Sequence, residues 1–221
     1  MVDMSLWDTR RQAERALTEG LEPFAGLLNE AFSVLDGCVD RLERLGQPFG
    51  RVCALVLIKT RNLGLGCYSL CLDGLAQEAG ALFRPLLEGL ELLVYFRLEP
   101  TRINEALEER LPKAGDIARK IEGKFKGVRD HLNRHASHLS VAPEAMMQLI
   151  DFRAERLRLV QPYNEGALRR NLRILLAVLV WLAIEAVNCI SVGEGNVDND
   201  LVDRVEGFKH RALVLFDQST P

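Results

Sequence analysis

The 221-residue chain contains no Cys-x-x-Cys pair, no Glu-x-x-His and no complete dinucleotide-binding glycine motif, and each absence removes a class of protein. Its cysteines, Cys38, Cys53, Cys67, Cys71 and Cys189, are odd in number and lack the pairing that redox or zinc sites use, which fits a reducing compartment. Cys67 and Cys71 lie four apart, on one side of a helix, and read as small core residues. Without Glu-x-x-His the ferritin-like di-iron pattern is ruled out. After Gly64-Leu-Gly66 no third glycine follows at motif spacing and no strand precedes, so close helix packing or a bend replaces the phosphate-loop reading. The longest unbroken apolar run, Ile174 to Ile184, ends at Glu185, against roughly 20 residues needed to cross a bilayer. The N-terminus also lacks the basic-then-apolar order of a secretory signal. No membrane partner is expected, and the expected location is the cytoplasm.

With 48% hydrophobic residues the chain is able to bury a large core without staples. A single domain over residues 1–221 is expected, with residues 5–46 as a peripheral hairpin. Apolar residues recur at three-to-four spacing nearly throughout and nowhere sustain the alternation of a half-buried strand, so the fold class is all-α, a multi-helix bundle. Caps and prolines predict the helices. The first runs from about Ser5 to Glu19, and a second opens at Pro23 with Phe24, Leu27, Leu28, Ala31, Phe32, Leu35 and Val39 in one stripe. A third starts near Pro48, and a fourth spans about Leu75 to Leu98 around Pro85. Thr101 is expected to cap a short helix to about Arg110. One continuous helix is expected from about Ile117 to Leu139, and another from Pro143 through Arg156. Asn164 caps the most apolar helix, about Glu165 to Ile190, expected at the centre of the bundle, and a last helix covers about Asp198 to Phe216.

Three of the four histidines, His131, His135 and His138, fall within eight residues. Residues 113–173 around them hold thirteen Lys/Arg against seven Asp/Glu in a chain whose net charge is −3, a balance that attracts phosphates. On a helix, Val128, Leu132 and Ala136 define a buried face, flanked on one side by Arg129 and on the other by His135, while His131, Arg134 and His138 point further out. The three imidazoles share a stripe on which a metal ion is conceivable. Arg134 projects into the same sector and opposes a cation, so neither a metal nor another cofactor is expected. His131 and His138 read as surface or capping residues.

Arg129, followed by Asp130 and separated by five residues from His135, resembles the Arg-x(4 to 6)-His motif of HEPN-superfamily proteins, all-helical domains many of which are bacterial ribonucleases. The resemblance implies metal-independent RNA cleavage by a homodimer, in which Arg129 binds phosphate, Asp130 orients the site and His135 acts in acid/base catalysis. A broader likeness, over roughly residues 50–190, is to a group of uncharacterised bacterial helical proteins. It rests on Arg84-Pro-Leu-Leu-Glu88, a polar insertion, a histidine-bearing helix and a late apolar helix.

A second constellation lies on the helix from Leu75 to Leu98, where Gln77, Arg84, Glu88, Glu91 and Tyr95 form one polar strip on an otherwise apolar surface. Arg84 and Glu88, four apart, are placed to pair. Facing solvent, the strip is inert; facing inward, it lines a cleft in which Arg84, Glu88, Arg134 and His138 bind a ligand, with Tyr163, Arg169, Arg170, Arg173 and Glu185 as further candidates. The expected function is therefore a metal-independent ribonuclease or nucleotide-binding protein of HEPN type, the alternative a non-catalytic helical module that binds a protein or small anion.

Overall fold

Prolines and caps set the helix starts. Pro23 sits in the first turn of α2 (Glu22–Arg44) and Pro48 in that of α3 (Pro48–Leu72), where a missing N–H costs nothing because it has no intrahelical acceptor. The Asn164 side chain accepts the Ala167 N–H and opens the long apolar helix, as expected. The computed structural model describes residues 6–135, 149–151, 155–157, 161–195 and 199–218. Among them the remaining helices are α1 (Leu6–Glu19), α4 (Ala76–Leu98), α5 (Ile103–Leu107), α6 (Ala114–Lys120), α7 (Lys126–His135), α8 (Glu165–Glu194) and α9 (Asn199–Gln218). The only strands among these residues are Ile150–Asp151 and Arg156–Leu157, an antiparallel pair of two residues each. The fold is all-α.

The core lies where α8 meets α2, α3, α4 and α9, and α3 and α4 form an antiparallel hairpin beside it. Leu172, Leu175, Leu176, Leu179, Leu182 and Ala186 of α8 are fully buried there. By length and composition α8 alone among the described helices is able to cross a membrane, but most of its apolar stretch is buried inside the bundle. Its apolar span exceeds the run counted from Ile174 because Asn171 and Arg173 interrupt the sequence without interrupting the helix. The expected α2 stripe is buried from Phe24 to Leu35, with Val39 half-buried at its end. Helix α3 runs straight through Gly64 and Gly66. A Cβ on Gly64 would stand 3.2 Å from Leu179, and one on Gly66 would stand 3.0 Å from Leu82, so both glycines serve close packing.

Four sequence-based expectations need correction. Thr101 caps no helix; it lies inside a 3-10 turn (Pro100–Arg102), and α5 after it is only five residues long. The expected helix from Ile117 is broken between α6 and α7. There Gly123 N–H bonds to the Ala118 carbonyl and Glu122 N–H to that of Arg119, a Schellman ending with Glu122 at φ 60°. Helix does not continue through Arg156, because Glu155 at φ 49° turns the chain into the two-residue ribbon. Finally, α8 extends to Glu194, where Gly195 at φ 73° ends it. The start of the helix expected at Pro143 and the Ser5 cap lie outside the described residues.

Candidate functional site

The polar strip of α4 faces inward, and its burial deepens along the helix. Gln77, Arg84 and Glu88 are half-buried, whereas Glu91 is 2% exposed and Tyr95 fully buried. What covers them is α6 and α7. Arg84 Nε donates to Glu88 Oε1 at 3.0 Å, the expected pair. Glu88 Oε1 also lies 3.6 Å from Arg129 Nη1. Arg129 in turn grips Glu91 with two nitrogens, Nε to Oε1 at 3.3 Å and Nη2 to Oε2. Further along, Tyr95 Oη donates to Glu105 at 2.8 Å and accepts from Lys120 Nζ at 3.2 Å, while the Arg102 guanidinium stacks 4.3 Å from the ring centre. The two motifs read separately from the sequence, Arg84/Glu88 and Arg129, are thus one cluster.

Within that cluster two cations meet two carboxylates. The Arg129 side chain is 11% exposed and its donors are directed at carboxylates. Bidentate Arg–carboxylate geometry satisfies the buried charge of Glu91, and a pair this deep is costly to break from one side. Arg129 therefore holds α7 to α4. The phosphate-binding role implied by the HEPN resemblance would require it to leave Glu91.

Just before α7 the chemistry is different. The break at Glu122 and Gly123 turns Phe125 inward, 6% exposed, and leaves Lys124 and Lys126 exposed. Neither lysine has an ion-pair partner among the described residues. Phe125 accepts the Arg129 N–H on its carbonyl, so the buried ring and the Arg129 clasp are one turn apart. Its ring packs against Trp181 of α8, centroids 5.5 Å apart and planes tilted by 43°, and Lys124 Nζ lies 5.5 Å from the Phe125 centroid. Between α4, Phe125 and α8 opens a cavity of about 300 Å³, lined by Leu90, Lys124, Phe125, Trp181, Glu185 and Asn188. Glu185, only 3% exposed, is held by Arg97, the cationic partner its burial demands.

Sequence reasoning named Glu185 but missed Phe125 with Trp181 as a pair. They are 56 residues apart, and no local spacing signals their contact. The other candidates of the expected cleft disperse. Arg169 pairs with Glu165 at 2.8 Å, and Arg173 stacks 5.4 Å from the Phe216 ring centre. Tyr163 and Arg170 line another cavity, of about 340 Å³, with Thr9, Cys71, Gln161 and Asn171. Tyr163 Oη there is buried without a hydrogen-bond partner among the described residues, and burial raises its pKa.

Asp130 is exposed beside Arg129. His131, Arg134 and His135 stand on the last two turns of α7, but their side chains lie outside the described residues, as does His138 altogether. Among the described residues no group of three metal-ligating side chains forms. All five cysteines are free and buried, and burial pushes Cys38, Cys67 and Cys71 up to about 12, so they are poor nucleophiles. No protein-family model, curated protein or solved structure matches the chain.

Proposed function

We propose that the protein binds single-stranded RNA or a nucleotide on the face where α7 meets α4 and α8. The observation that supports this most is the contrast in cation use along the six residues from Lys124 to Arg129. Arg129 is spent on Glu91 and Glu88, while Lys124 lines an aromatic groove and Lys126 is exposed two residues later, both without an ion-pair partner among the described residues. Unpaired lysines neutralise phosphate and release its counterions on binding, and neighbouring aromatic rings offer stacking surface for bases. The test is fluorescence anisotropy of a labelled ten-nucleotide single-stranded RNA across a salt series. Binding that weakens steadily with salt supports the reading, and no binding at the lowest salt overturns it.

A cleavage reading, after the HEPN resemblance, keeps His135 as the acid/base group and gives up phosphate binding by Arg129, which is committed to Glu91. A helix fixed by a buried bidentate pair gives His135, six residues onward and about 9 Å further along the axis, the rigid mounting that acid/base catalysis needs. His135 would take the proton from a ribose 2′-hydroxyl as that oxygen attacks the adjacent phosphorus. The bond to the 5′-oxygen then breaks and that oxygen takes the proton back from the imidazolium, leaving a cyclic phosphate and a 5′-hydroxyl. In this reading Arg129 is a positioning residue and two copies of α7 face one cleft. Incubation of the protein with mixed RNA, with and without chelator, tests it. Cleavage that survives chelator and is lost in His135→Ala supports it; intact RNA under every condition leaves a binding protein without catalysis.

A further inference from the structure

We infer that the groove between Phe125 and Trp181 is a subsite for one unpaired nucleobase, a proposal that rests on the nucleotide-binding reading and locates the base within it. Trp181 lies between Val180 and Leu182, both buried in the bundle, yet it keeps 42% of its own surface exposed. Its contact with Phe125 is a tilted pair, so the exposed Trp181 ring is held at an angle on a Phe125 ring that is itself buried. The cavity against these rings, about 300 Å³, is at the small end of ligand sites and has the size class of a single base with part of its sugar. Leu90 gives it an apolar floor, and the Asn188 amide adds one donor and one acceptor for a base edge.

Charge completes the assignment. Glu185 lines the same cavity, and its carboxylate is neutralised by Arg97. Lys124 stands beside the Phe125 ring and is exposed, and Lys126 follows two residues later; both are unpaired among the described residues. A flat π-surface with the Lys124 ammonium beside it matches a base and the phosphate attached to it, and it makes no use of base pairing. A double-stranded ligand keeps its bases stacked on one another and presents none to Trp181.

The chain has two tryptophans, Trp7 and Trp181, so Trp7→Phe makes the emission report on Trp181 alone. This variant is titrated with a ten-nucleotide single-stranded RNA and with the same RNA annealed to its complement, while anisotropy of a labelled copy reports binding independently. Saturable quenching by the single strand and little by the duplex is expected. Trp181→Ala should weaken single-strand binding by about tenfold, and Trp181→Phe, which keeps an aromatic partner for Phe125 and should melt like the parent, should recover most of that loss. If RNA binds by anisotropy with Trp181 emission unchanged and with equal affinity for Trp181→Ala, the subsite is wrong and the binding reading stands. If the parent binds no RNA at all, both fail together.

Discussion

The two sides of the short segment around Phe125 treat charge in opposite ways. Toward α4, Arg129 is nearly buried and directed at Glu91 and Glu88; toward α8 and solvent, Lys124 stands beside Phe125 and Trp181 with Lys126 exposed two residues on, both without an ion-pair partner among the described residues. Basic residues count equally in a sequence, but only those without a carboxylate partner remain available to a ligand. The basic excess of residues 113–173 therefore divides into cations that build the fold and cations that face outward.

The largest expected effect comes from breaking the committed side. Glu91→Ala leaves the Arg129 guanidinium buried without its acceptor and should lower unfolding free energy by about 3–5 kcal/mol in urea denaturation. A loss well under 1 kcal/mol would mean that the seam is not a structural clasp. The exposed end of the same strip sharpens the point. Arg84→Ala removes a half-buried pair spaced i,i+4 and should cost only about 0.5 kcal/mol, so the ratio of the two losses measures how burial grows along α4.

On the uncommitted side, Lys124→Ala with Lys126→Ala should leave stability within about 0.5 kcal/mol of the parent, since among the described residues neither lysine has a carboxylate partner and both are exposed. A clear destabilisation by thermal melting would place these lysines among the structural cations and erase the contrast. The buried thiols give the smallest effect, nil at neutral pH. Cys38, Cys67 and Cys71 have pKa values raised by burial from 9.0 to about 12. As pH rises the unfolded chain loses these protons first, so their contribution is fully present below pH 9 and is lost between pH 9 and 12. Native protein at pH 8 should resist thiol alkylation, and stability should fall only as pH climbs through that window.

Much of this architecture is legible in the sequence because it is written locally. Pro23, Pro48 and Asn164 mark helix starts, and the three-to-four spacing of α2 and α8 marks their buried faces. The polar strip of α4 is visible for the same reason, as is the Arg84/Glu88 pair within it. The break between α6 and α7, where Glu122 and Gly123 both take positive φ, is hidden because Ile121, Phe125, Val128 and Leu132 keep a helical rhythm across the gap. The ribbon at Glu155 is too short to show any alternation. The partnerships that define the site, Arg129 with Glu91 and Phe125 with Trp181, join residues 38 and 56 positions apart. Such contacts follow from how α7 docks, and no spacing rule reaches that far.

The most direct test of the central claim, that the unpaired lysines and not Arg129 meet the ligand, is the salt dependence of single-stranded RNA binding by Lys124→Ala/Lys126→Ala beside the parent. The slope of log affinity against log salt should become shallower by about 1.4 for the two lost phosphate contacts, with the fold unchanged. An identical slope and affinity in the two proteins would contradict the account.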